Sequence, residues 1–300
     1  MLIFSLIFNL IINNFNFLDF NYSNDPVLEN YQRENLKKIS TPVLKKEKAI
    51  YNAKAENALV IDSRTNNLLT SKKINEKKSI ASITKLMTAL VFLDLNIDFE
   101  KKYQIQKNDL IQEGRIYLYP GDEVSIKDLF FTSLIASANT ATNGLVNSSG
   151  LSQEEFVFLM NEKAKEMGLE NTNFRDPTGL NNGNISTALD IANLAKIAFS
   201  HPKISEIISL KEYELQFSSG KSKIVKTTDY LLDSFIDDDV KIIGGKTGYT
   251  EAAGYCFVAK FTNEKDNQII SVVLESDTGL NRFHETKEMV RWVYKNYEWY

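Results

Sequence analysis

The sequence predicts an α/β (α+β) fold in which strands from the two ends of the chain share one sheet and a helical segment lies beside it. Two observations carry this reading. The elements run strands, helices, strands, helix, and sequence-distant strands can share a sheet when the segment between them is helical. No internal repeat divides the 300 residues, and the 43% hydrophobic and 25% charged content is ordinary for a globular chain able to bury a large core.

Met1 to Ile12 reads MLIFSLIFNLII, interrupted only by Ser5 and Asn9. A membrane span needs about 20 apolar residues, so this length better suits the core of a signal peptide. No Lys or Arg precedes it and the first cation is Arg33. Residues 1–20 are therefore read as an export signal or a retained N-terminal membrane anchor, with no flanking charge to set its orientation. Residues 21–55 are polar, rich in Asn, Lys and Glu, and without periodicity, which predicts a linker. Folded structure is expected from there to Tyr300, with no second domain.

ALVIDSRTNNLLTSK predicts a hairpin, two short strands about a polar turn. In SIASITKLMTALVFLDL the apolar residues Ile83, Leu86, Met87, Leu90 and Leu93 recur at helical spacing. Further helices are predicted over Ile126 to Asn147, Gln153 to Met167 and Thr187 to Phe199. YELQF and SKIVKT read as strands. GYCFVAKFT and QIISVVLES are stronger ones, rich in β-branched and aromatic residues, with an Asn-Glu-Lys-Asp-Asn turn between them. Phe283 to Tyr297 closes as an amphipathic helix.

Composition excludes several functions. A formal net charge of -4 offers no broad basic field for nucleic acid. One cysteine, Cys256, cannot build a disulfide framework or a Cys-rich zinc site. The two histidines are His201, before a proline at a helix end, and His284, on the final helix. His284-Glu285 lacks the second histidine of a zinc-protease helix, and no Gly-x-Ser-x-Gly elbow is present. No metal and no cofactor are expected.

Three short motifs can carry chemistry. Ser82 and Lys85 lie three residues apart, on one helix face near the helix N-terminus, where the dipole favours a developing anion. A serine hydroxyl needs a base, and a lysine serves if burial brings its pKa toward neutrality. Ser-x-x-Lys alone recurs by chance, and a capping serine with a surface lysine has the same spacing. Yet Lys85 sits in an apolar helix, where an idle charge is expensive. Ser137 and Asn139 interrupt an apolar helical stretch, which a simple helix break also explains. Lys246, Thr247 and Gly248 at a strand edge offer a charge, a directed hydroxyl and room for close backbone approach, the requirements for binding a carboxylate. A Gly-rich hairpin start reads the same way. GGKTG is not a P-loop, because the first glycine is missing at the required spacing and no helix follows.

Together, SITK, SAN and KTG occur once each, in this order, and this is the motif set of β-lactamases and penicillin-binding proteins. IASITKLMTAL, MNEKAKEMGLENTNFRDPTGL, STALDIANLAK and GGKTGYTEAAGYCFVA resemble the low-molecular-mass D-alanyl-D-alanine carboxypeptidases, peptidase family S11. The resemblance runs from about Ala58 to Tyr297. It implies a β-lactamase/transpeptidase-like fold, a five-stranded antiparallel sheet flanked by helices with a helical subdomain, and it makes residues 56–300 one catalytic domain. It implies peptidoglycan stem peptides as substrates, β-lactams as covalent inhibitors, and an exported protein acting at the outer face of the cell membrane. The resemblance makes Ser82 the nucleophile, Lys85 the base and Ser137 the proton relay to the leaving amine. Asn139 would orient Lys85 and the substrate amide. Lys246, Thr247 and Gly248, with Arg282, would receive the terminal carboxylate, and the backbone N–H groups of Ser82 and Tyr249 would form the oxyanion hole.

The sequence departs from that pattern in places. SAN has alanine at its middle position where glycine is frequent. KTTDYLL stands where the family usually carries Asn-Thr-Asn. Tyr249 stands where many relatives have histidine. The nearest rival reading is a class A β-lactamase, which needs a carboxylate to activate the deacylating water. Glu212 and Glu214 are the nearest candidates, but they lie on a predicted strand far from SAN. A DD-endopeptidase or transpeptidase on the same scaffold shares the acyl-enzyme. A non-catalytic wall-binding protein would be expected to have lost Ser82, Lys85 or Lys246.

Overall fold

The computed structural model describes residues 41–45, 51–235, 237 and 239–300. The predicted export signal or anchor over 1–20, and most of the predicted linker, lie outside them. Among the described residues, no helix is long and apolar enough to cross a membrane.

Five strands form the central antiparallel sheet. They are β2 (Asn57–Asp62), β3 (Leu68–Lys72), β10 (Val240–Thr250), β11 (Gly254–Asn263) and β12 (Gln268–Ser276), in the order β10-β11-β12-β2-β3. The first hairpin thus joins strands from the far end of the chain, with Val60 opposite Ser271 and Ile270 opposite Ile61. Alternation explains how both faces are covered. Leu59 and Ile61 point into one apolar cluster and Ala58 and Val60 into the other, and Cys256 and Val258 oppose Phe257 and Ala259 in the same way. The second cluster is closed by Met289, Val290 and Val293 of α8 (Asn281–Asn296).

The first cluster is shared with the inserted helices. These are α1 (Lys85–Asp94), α2 (Ile126–Ile135), α3 (Asn139–Ser148), α4 (Gln153–Glu166), α5 (Ala188–Ser200) and α6 (Pro202–Ile208). Local chemistry sets several starts. Ser125 and Asp128 form a capping box on α2, Ser152 and Glu155 one on α4, and Thr187 accepts from the Asp190 N–H at the head of α5. Small antiparallel pairs trim this lobe: β4 (Lys78–Ser79) with β7 (Ile185–Ser186), β5 (Lys102–Gln104) with β6 (Glu123–Ser125), and β8 (Glu212–Gln216) with β9 (Ser222–Lys226). A short α7 (Leu231–Ser234) precedes β10.

Two expectations change. The helix predicted over 126–147 is two helices, parted at Ser137, whose φ of 57° is left-handed. A serine cannot continue a right-handed helix from there. The end of the predicted linker is also part of the folded body. β1 (Pro42–Leu44) pairs antiparallel with β13 (Tyr297–Trp299), with Pro42 opposite Trp299. Ala53 and Ala55 are buried in the second cluster, and the Tyr51 hydroxyl and Lys54 N–H both donate to Glu285 Oε1, at 3.0 and 3.1 Å. Polar composition hid these contacts because few residues make them, and several use backbone atoms.

Candidate active site

Three segments of the chain meet where the helical lobe touches the edge of the sheet. The first is the 3₁₀ turn Ala81–Thr84, which runs directly into α1 and carries Ser82. Ala81 adopts a left-handed φ of 46°, a conformation that costs a residue with a Cβ about 1 kcal/mol or more. Packing holds it there, since Ala81 is fully buried and β10 lies hard against it. A Cβ on Gly248 would stand 2.8 Å from the Ile80 carbonyl oxygen and 3.2 Å from the Ser82 nitrogen. Glycine at 248 is what allows strand and turn to approach this closely.

Lys85, the first residue of α1, is completely buried. Its Nζ has three neighbours: Ser82 Oγ at 3.0 Å, Asn139 Oδ1 at 2.7 Å and the Thr178 carbonyl at 2.6 Å. Burial pushes the ammonium down to about 7, opposed by the charge of Asp176. Neutral, the amine has two N–H donors and one lone pair. Asn139 Oδ1 and the Thr178 carbonyl can only accept, so they take both donors. The lone pair is then left for the Ser82 hydroxyl. The Asn139 amide is itself oriented by its Nδ2, which donates to the Glu113 carbonyl at 2.9 Å.

The Thr178 carbonyl is held by a loop whose polar atoms are tied together. Asp176 Oδ1 accepts from the N–H groups of Thr178 and Gly179, at 2.6 and 2.7 Å, and Oδ2 accepts from Asn181 N–H at 2.6 Å. Asn184 donates to Thr84 Oγ1 at 3.0 Å, and Thr88 donates to the Pro177 carbonyl at 2.6 Å, which fastens the loop to α1. Gly179 is essential to this arrangement. Its φ is +90°, and a Cβ would fall 2.0 Å from the Ala81 carbonyl oxygen. Gly179→Ala is therefore expected to cost more than the roughly 1–3 kcal/mol of backbone strain alone. Gly150→Ala, at φ +82° with open space around its Cβ, should pay the strain only. Urea unfolding of both variants measures the difference.

The second segment is the break between α2 and α3, which presents Ser137 and Asn139. The third is the β10 edge. Lys246 is buried, and its Nζ donates to Ser137 Oγ at 2.7 Å and to the Thr247 carbonyl at 3.0 Å. Burial, then the charges of Lys85 and Arg282, hold its ammonium well below the ordinary lysine value, with Asp229 opposing. The Thr247 hydroxyl lies 2.6 Å from that of Thr228. Arg282, in the first turn of α8, donates through Nη1 to the Gly248 carbonyl at 3.0 Å and the Cys256 carbonyl at 3.3 Å, so it braces β10 against β11. Tyr249 is 52% exposed and stacks on Tyr255 with ring centres 4.2 Å apart.

These groups border one open cleft of about 490 Å³. Of the residues predicted for the site, Ser82, Ser137, Asn139, Thr247, Gly248, Tyr249 and Arg282 line it, and Lys85 and Lys246 are buried behind them. Its carboxylates are Glu113 and Glu251. Glu212 and Glu214 are on β8, outside this lining. His201 caps the α5–α6 junction and His284 is exposed on α8. Among the described residues, no group of three or more His, Cys, Asp or Glu side chains is placed to hold a metal ion. Sequence reasoning missed Thr178, Asp176 and Thr228. The Asp-Pro-Thr-Gly run signals a turn, but no residue type announces that a carbonyl will be used.

A family model described as D-alanyl-D-alanine carboxypeptidase matches residues 43–278. Over 250 residues the chain is 32% identical to a D-alanyl-D-alanine carboxypeptidase of Bacillus subtilis, a match covering 81% of this chain and 63% of that protein. Thus the chain spans less than two thirds of that relative's length. It is 30% identical over 239 residues to the D-alanyl-D-alanine endopeptidase of Escherichia coli, covering 79% of this chain and 76% of that one. A crystal structure of a Streptomyces DD-transpeptidase superimposes with a TM-score of 0.76 at 25% identity, covering 82% of this chain and 99% of that one.

Proposed function

Because the chain belongs to peptidase family S11, the D-alanyl-D-alanine carboxypeptidases, we propose that it removes the terminal D-alanine from peptidoglycan stem pentapeptides through an acyl-enzyme on Ser82. The observation that carries this reading is the Lys85 amine, 3.0 Å from Ser82 Oγ, with both its other neighbours acceptors.

In the first half-reaction Lys85 takes the Ser82 proton as Oγ attacks the penultimate carbonyl. The N–H groups of Ser82 and Tyr249, both on the cleft wall, receive the developing oxyanion. The C–N bond then breaks. Ser137, hydrogen-bonded to Lys246, passes its proton to the leaving amine and regains one from the Lys85 ammonium, so D-alanine departs and Lys85 is neutral again. Thr247, Lys246 and Arg282 hold the terminal carboxylate of the substrate until that point. In the second half-reaction Lys85 takes a proton from water, which attacks the acyl carbon, and Ser82 leaves with its proton restored. β-Lactams enter the same first step and stop as stable acyl-enzymes. Stem peptides lie outside the cytoplasmic membrane, so this body works in the cell envelope, with residues 1–20 as its export signal or anchor.

Digestion of purified muropeptide pentapeptide, followed by mass spectrometry, tests the fate of the acyl group. Loss of one alanine is the expected outcome. Cleavage of cross-linked dimers without that loss would make the protein an endopeptidase, and new cross-linked products would make it a transpeptidase.

A further inference from the structure

One buried ionisable group beside the cleft has no part in the mechanism above. Asp229 follows Thr228, whose hydroxyl meets that of Thr247. It is 2% exposed. Oδ1 accepts from the Leu231 N–H at 2.9 Å, while Oδ2 is buried and accepts no hydrogen bond from the described residues. Burial pushes this carboxyl up to about 7. The charges acting on it are Arg282 from α8 and Lys246 from β10. On the α7 side, Tyr230 is exposed, and Asp233 is exposed and paired with Lys211 at 3.0 Å.

The two cations beside Asp229 are the same two assigned to the substrate's terminal carboxylate. A docked peptide therefore places a second carboxylate in the field of one Arg and one buried Lys. Two carboxylates sharing such a site do not both ionise readily, and the buried one yields by taking a proton. We propose that Asp229 is a positioning residue that takes up a proton when the terminal carboxylate of the substrate docks, so that affinity for free-carboxylate peptides falls as pH rises above neutrality. This rests on the carboxylate assignment in the proposed function. The sign follows from linkage. Below the titration of the free enzyme the proton is already present and affinity is flat. Above it, each binding event must draw a proton from solvent, and affinity falls by up to about tenfold per pH unit.

The test is calorimetric binding of an N-acylated D-Ala-D-Ala peptide to full-length Ser82→Ala protein between pH 6 and 9. The same peptide with an amidated C-terminus and the Ser82→Ala/Asp229→Asn protein are measured alongside. Lys85 and Lys246 are present in both proteins, so their titration is common to both. Kd is expected to weaken about fivefold between pH 7 and 8 for the free acid on the single variant. The amide should lack this fivefold change, and the double variant should lose it and keep only the slope common to both proteins. Equal slopes in the two proteins overturn the inference, as does an amide with the slope of the acid. Should the double variant not fold, infrared spectroscopy of the single variant at pH 8 replaces it. A carboxylic-acid band must then appear on adding the free-acid peptide, and its absence overturns the inference. Wild-type turnover of muropeptide with a pH-flat Kd would sink this inference and spare the proposed function. Proton-linked binding without turnover would do the reverse.

Discussion

Replacing Ser82 with alanine is expected to reduce covalent labelling by a fluorescent penicillin to background, in a protein that remains folded. Without Oγ there is no atom to carry the acyl group, so the loss is complete and not a rate effect. The folded state should tolerate the change. Lys85 loses one of three neighbours but keeps Asn139 Oδ1 and the Thr178 carbonyl, and one hydrogen bond of this kind contributes about 0.5–1.5 kcal/mol. Gel fluorescence of the labelled protein, beside its urea midpoint, separates the two effects. A variant that still labels would place the nucleophile elsewhere in the cleft.

Removing the amine of Lys85, the proposed base, is expected to have the next largest consequence. Lys85→Met keeps the volume of the side chain and discards the amine. Penicillin acylation is expected to slow by about 10²–10⁴-fold, the usual contribution of a positioned general base. Two buried acceptors lose their donor, at about 1–3 kcal/mol each, offset by the removal of a buried ionisable group. The wild-type pH profile carries the same assignment. Only the neutral amine can accept a proton, and burial brings Lys85 down to about 7. Acylation should therefore reach a plateau above pH 7 and fall about tenfold per unit below it. In Lys85→Met that dependence should vanish. Stopped-flow acylation between pH 5 and 8 reads both, and an unchanged profile in the variant would remove Lys85 from the role of base.

The sequence carried much of this because side-chain chemistry is written in residue types. Ser82 and Lys85 are one helical turn apart and meet at 3.0 Å. Lys246 and Ser137 are 109 residues apart in the chain and meet at 2.7 Å. That meeting followed from family resemblance, whereas spacing alone could not have supplied it. What stayed hidden is mostly backbone. The left-handed φ of Ser137 splits a helix that apolar periodicity reads as continuous. The Thr178 carbonyl completes the surroundings of Lys85, yet every residue has a carbonyl. β1 escaped notice because three residues in a polar stretch give no period, and its partner lies at the far end of the described chain. Asp229 lies within KTTDYLL, the segment that departs from the Asn-Thr-Asn pattern, but nothing in the sequence singles it out, because its burial near two cations is a property of the assembled lobes.

The wide separation of the site's segments has a practical consequence. The turn at Ser82, the α2–α3 break, the loop at Thr178 and strand β10 come together only when the inserted helices have docked and the first hairpin has joined the C-terminal strands. A partly assembled chain would hold the serine but not its activated form. Covalent penicillin labelling would therefore count native molecules one by one, and it could serve as a direct assay of refolding yield.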